Sequence, residues 1–153
     1  YNLWVAKGKS APVLMQSRSI VLGSPSCLPA IQYGLAKQRI NGDYPSVSAV
    51  GSTSVAVNNL KIAVDKATPF QNGVLFYSPD QGSLPFHGGT LLLGGTISRR
   101  GVFTADTNGH AELAIPLSPG MIDTTRNFQA IFRDPAALDG YGVTNAVHVE
   151  ICP

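Results

Sequence analysis

From Leu60 onward, apolar residues recur at every second position, the spacing of a half-buried strand. Leu60, Ile62 and Val64 alternate with Lys61, Ala63 and Asp65, and the turn-rich Thr68-Pro69-Phe70-Gln71-Asn72-Gly73 leads into an aromatic and β-branched run over residues 74–78. The two runs are expected to form a hairpin. Residues 79–89 read as a loop, residues 90–93 as a short strand, and Gly94-Gly95 as a break or bulge. Asp106-Thr107-Asn108-Gly109 separates residues 102–105 from residues 110–117, and its Asn-Gly pair suits a tight connection, so a second hairpin is expected there. Ala111, Leu113, Ile115 and Leu117 share one face, with Pro116 marking an edge or an exit. The last two strands are expected over residues 127–133, where Phe128, Ala130 and Phe132 share a face, and over residues 143–152. No stretch has ten residues of helical period with a cap and a stop, although residues 118–124 fit one short turn.

These spacings predict an all-β chain, an antiparallel β-sandwich of about seven to nine strands over residues 27–153. Residues 1–26 are expected to form an extended N-terminal arm, broken by Lys7-Gly8-Lys9-Ser10-Ala11-Pro12 and by Gly23-Ser24-Pro25-Ser26. Leu3, Trp4, Val5, Val13, Leu14, Met15, Ile20, Val21 and Leu22 give the arm an apolar content that has to be buried. Two burials are open: edge strands on its own sheet, or donor-strand pairing with a neighbouring copy.

Composition supports many short elements, since Gly and Pro make up 27 of the 153 residues and charged residues only 13%. No apolar run approaches the roughly 18 to 20 residues of a membrane-spanning helix, so membrane insertion is not expected. The net charge of +2 hides an asymmetry, because residues 1–42 carry Lys7, Lys9, Arg18, Lys37 and Arg39 and no acid. Those charges are too sparse for a nucleic-acid surface, and none is expected as a partner.

The two cysteines are Cys27 and Cys152, the second next to last. A cysteine ending a strand-like stretch reads as a staple on a terminus, so the pair is expected to form a disulfide in an oxidising compartment. The alternative is two unrelated buried thiols. The chain starts at Tyr1 without a basic or apolar leader and reads as a mature form lacking its signal peptide. Expected localisation is secreted, extracellular or cell-surface.

Residues 60–153 carry further signatures: Gly88-Gly89-Thr90-Leu91, then Asp106-Thr107-Asn108-Gly109 leading into a strand that ends at Ile115-Pro116. Phe128-Gln129, Arg133-Asp134-Pro135-Ala136 and the terminal Cys152-Pro153 complete the pattern. This stretch resembles a domain at the C-terminal ends of secreted, largely uncharacterised bacterial proteins. The resemblance implies a secreted β-sandwich and brings no activity or catalytic residues; the arm lies outside it.

Candidate chemistry is sparse. His87, His110 and His148 have no spacing that requires convergence, and Cys–His metal spacings, phosphate loops and nucleophile elbows do not occur. The Asp106 turn begins like a calcium loop but lacks its later acidic ligand. No enzymatic activity, metal or other cofactor is expected. Arg133-Asp134-Pro135 reads as a structural corner. Trp4, Tyr33, Tyr44, Phe70, Tyr77, Phe86 and Tyr141 are candidate sugar-stacking residues. The function expected is a non-catalytic subunit that assembles with copies of itself, plausibly into fibres, with an adhesion module binding extracellular glycans as the alternative.

Overall fold

The structure, a computed structural model, describes residues 27–153. The expectations for the arm, including Trp4 and the other eight apolar positions, therefore lie outside the described residues. Among the described residues ten strands run in chain order: β1 (Ile31–Tyr33), β2 (Ser46–Val50), β3 (Lys61–Asp65), β4 (Asn72–Ser78), β5 (Asp80–Phe86), β6 (Gly89–Gly94), β7 (Ser98–Thr104), β8 (Ala111–Ala114), β9 (Thr125–Arg133) and β10 (Tyr141–Glu150). The fold of the described residues is all-β and its ladders are antiparallel, with a 3-10 turn at Pro119–Met121 inside the stretch expected to turn. Ten strands exceed the seven to nine expected. β1 and β2 are short, and β5 lies where a loop was expected.

A five-stranded sheet has the order β1-β10-β9-β4-β7, a three-stranded sheet the order β2-β3-β8, and β5-β6 form a separate hairpin. Alternation explains the core between the two larger sheets. Phe128, Phe132, Leu75, Phe103, Val147 and Val149 from the large sheet meet Val47, Ile62 and Val64 from the small one, all buried in a single cluster. Ala111, Ile115 and Leu117 join it, and Leu113 is partly buried against it. Phe128, Ala130 and Phe132 share the inward face, as expected.

Both expected hairpins need correction. β3 pairs with β2 and β8, whereas β4 pairs with β7 and β9, so residues 66–71 cross between sheets instead of closing a hairpin. Lys66 and Phe70 both adopt left-handed backbone, which swings the chain across. The Asp106–Gly109 turn forms, with the Gly109 amide donating to the Asp106 carbonyl, but its flanking strands also enter different sheets. The two crossings support each other: the Ala67 amide donates to Gly109, the Phe70 amide to Ala105, and the Ala105 amide to Gln71. Gly109 is required there, because a Cβ would strike the Ala67 carbonyl. Period-two alternation tells which residues face inward. It does not tell which strand lies alongside.

One row across the large sheet alternates glycine and phenylalanine. Gly142 pairs with Phe132, Phe132 with Gly73, and Gly73 with Phe103. A Cβ on Gly73 would fall on the Phe103 ring and one on Gly142 on the Phe132 ring, so each ring occupies space its neighbour leaves open. The next row, on the opposite face, is aliphatic: Val143, Ile131, Val74 and Val102.

The structure joins Cys27 to Cys152, with Cα atoms 5.6 Å apart. No helix among the described residues is long and apolar enough to cross a membrane.

Candidate functional site: an apolar cleft and an open strand edge

The β5–β6 hairpin folds over the outward face of the large sheet. His87 and Gly88 both have positive φ, as a two-residue turn of this hand demands, and the His87 ring packs between Phe86 and Tyr141. Between hairpin and sheet lies a cleft of about 260 Å³, lined by Phe76, Phe86, Leu91, Leu93, Ile131 and Val143 among others. Its one polar lining side chain, Gln129, is 3% exposed and fully engaged. Gln129 Oε1 accepts from the Leu92 amide, and Nε2 donates to the Thr90 and Thr144 carbonyls, each at 2.8–2.9 Å. The Tyr33 hydroxyl donates to the Leu92 carbonyl at 2.9 Å, and burial pushes its pKa up to about 12. The cleft walls thus offer apolar contact alone.

Gln129 and Tyr33 do to β6 what an adjacent strand would do, by satisfying backbone groups along its open side. The same device recurs at β2. The Val47 amide donates to Asn145 Oδ1 at 2.8 Å and the Val47 carbonyl accepts from Gln32 Nε2 at 2.6 Å. Asn145 is aimed there by an irregularity in β10 between Val143 and Ala146, which also sets the Thr144 hydroxyl against the Ala130 backbone. At β8, Arg100 donates to the Ala114 carbonyl at 3.5 Å. β5 carries Pro85, which has no amide to offer, and a register irregularity between Gln81 and Leu84. β1 has three residues. β7, with seven residues, pairs with β4 on one side only, and among the described residues its other side receives no such cap. Val102 on it is 65% exposed.

The residues singled out in the sequence do not converge. His148 Nδ1 meets Asn127 Oδ1 at 2.9 Å, while His110 and His87 lie on other elements. Asp106 Oδ1 accepts the Asn108 and His110 amides at 2.8 and 2.9 Å, a turn-closing role, and these bonds hold its carboxyl below the usual range. The corner reading of Arg133-Asp134-Pro135 rests mainly on Asp134, which is buried and accepts from Arg39 Nε at 3.3 Å and Thr68 Oγ1 at 3.0 Å. Lys37 meets Asp139 at 2.8 Å. Two of the five basic residues that skew residues 1–42 are therefore paired within the chain. Of the candidate sugar-stacking aromatics, Tyr33, Tyr77, Phe86 and Tyr141 are partly buried and engaged in packing or hydrogen bonding, whereas Tyr44 and Phe70 are exposed. Among the described residues no cluster of three or more His, Cys, Asp or Glu side chains is placed to hold a metal.

His110 is the exception in its electrostatics. Its Nδ1 lies 2.7 Å from Asp65 and its Nε2 3.3 Å from Glu112, and these two carboxylates, Asp65 foremost, raise its pKa above the usual imidazole value. A raised folded pKa contributes stability that is complete below the unfolded value of about 6.5 and is lost as pH rises through the folded one. NMR titration should place the His110 midpoint above the ordinary imidazole value. Asp65→Asn should lower the His110 midpoint; an unmoved midpoint would refute the pairing.

No family model, curated protein or solved structure matches this chain.

Proposed function

We propose that this chain is a non-catalytic structural subunit of an extracellular or cell-surface assembly. In this reading the two larger sheets form a disulfide-stapled β-sandwich, and residues 1–22 join one copy to the next, giving fibres by strand exchange. The observation that carries it is the contrast among strand edges. β2, β6 and β8 have side-chain caps, β5 is interrupted by Pro85, β1 is only three residues long, and among the described residues the seven-residue β7 receives no cap on its outer side. Sealed or very short edges suppress indiscriminate pairing, and a long uncapped edge channels it. The disulfide supports a secreted setting, because such bonds persist where thiols are not kept reduced. The arm brings nine apolar residues that need burial.

Sedimentation velocity and negative-stain electron microscopy test this. The full chain should form concentration-dependent polymers, and a chain starting at residue 23 should stay monomeric with an unchanged circular dichroism spectrum. Polymers of undiminished length from the shortened chain would overturn the proposal. The exposed rings of Tyr44 and Phe70 favour a second reading, a glycan-binding module, since exposed aromatic faces stack on sugars. Saturable binding of monomer to a glycan array, lost in Tyr44→Ala or Phe70→Ala, would select it.

A further inference from the structure

We propose that residues 101–104 of β7 are the acceptor, and that their occupant is the segment of residues 18–22 from a second copy, laid down antiparallel. This rests on the assembly reading above and specifies its contact. Upstream on β7, a register irregularity between Leu75 and Phe76 of β4 displaces Arg100, and Arg99 and Arg100 add like charge, so pairing there is hindered. Residues 101–104 read Gly-Val-Phe-Thr and carry no charge.

The register follows from side-chain chemistry. The aliphatic row Val143, Ile131, Val74, Val102 runs outward across four strands and stops at Val102, in solvent. Seating Val21 opposite Val102 extends that row by one strand. Ile20 then lies opposite Phe103 on the core side, Leu22 opposite Gly101, and Ser19 opposite Thr104. Arg18 arrives beyond Thr104, beside the ionised Asp106, and away from Arg99 and Arg100. A parallel strand in the same place would bring Arg18 toward the arginine pair.

Reach decides between the chain's own segment and a neighbour's. Ile131, level with Val102, is seven residues along β9 from Thr124, whose carbonyl accepts from Ile151 beside Cys152. That is about 23 Å along the strand, and an added strand beyond β7 lies four spacings from β10, about 19 Å sideways. The separation from the disulfide is therefore about 30 Å. Six residues from Val21 to Cys27 span at most about 22 Å, which the 5.6 Å disulfide span does not make good. A second copy has no such tether.

The test uses the full-length chain with a benzophenone amino acid at position 102, mixing isotope-labelled and unlabelled copies before irradiation. Crosslinks to residues 18–22 that join labelled to unlabelled chains are the expected result. Val102→Lys should reduce polymer mass at least tenfold with the monomer's unfolding midpoint unchanged, while Val50→Lys on the capped β2 should leave assembly as it was. Crosslinks confined to one chain, or normal polymers from Val102→Lys, overturn the inference. If those polymers still vanish when residues 1–22 are removed, the assembly reading survives with a different acceptor; if they persist, both fail.

Discussion

Phe132→Ala is expected to cost about 3–5 kcal/mol in unfolding free energy, because it empties a fully buried ring site shared by three strands. The ring lies over Gly142, so truncation opens space on both sides of the pair. The reciprocal change makes the geometry testable. Gly73→Ala should cost about 1–3 kcal/mol by driving a methyl group into the Phe103 ring, although alanine ordinarily suits a strand better than glycine. In a Phe103→Leu background the same change should cost clearly less, a coupling that a double-mutant cycle in urea measures. Strict additivity would mean that the ring does not occupy the glycine's space.

Removing the disulfide should have an effect of similar size. Cys27 and Cys152 are 125 residues apart, and a loop of that length corresponds to about 5 kcal/mol in the chain-entropy account, within a usual range of about 2–5 kcal/mol. Cys152 is also held by backbone bonds to Thr53 and Val55, and the Ser54 hydroxyl donates to the Pro153 carbonyl. Cys27 has no backbone bond of that kind among the described residues. Cys27→Ser should therefore cost as much as the double replacement, measured by equilibrium denaturation without reductant. A loss below about 1 kcal/mol would show that the N-terminal attachment is held by other contacts.

Inward faces could be read from the sequence because alternation is local. The faces of β3, β8 and β9 follow from period two alone, and the Asp106 turn follows from its Asn-Gly pair. Strand partners could not, because the choice between closing a hairpin and crossing to another sheet depends on contacts between residues 66–71 and 105–109, which lie 34 to 42 residues apart in the chain. β5 escaped notice since Gly82, Ser83 and Pro85 are turn formers, and its strand character comes from pairing with β6. The edge caps were hidden for another reason. Gln32, Gln129 and Asn145 are uncharged amides in largely apolar stretches, and only the fold shows which backbone each reaches. For Gln129 a signal existed: an amide between Phe128 and Ala130 on a strand whose outward neighbour Ile131 is aliphatic needs a buried partner.

Side chains, not a ladder, hold the β5–β6 hairpin on the large sheet. Rotation of Gln129 and Tyr33 about their own bonds, with Leu91 and Leu93 lifted from their apolar contacts, would release the hairpin while every strand pair of the five-stranded sheet stays intact. The hairpin is thus expected to open as a separate unit, at a free energy smaller than that of global unfolding. Hydrogen exchange should therefore reach the Leu92 amide through that local opening, while the amides of β9 beneath it are expected to wait for the whole domain to unfold.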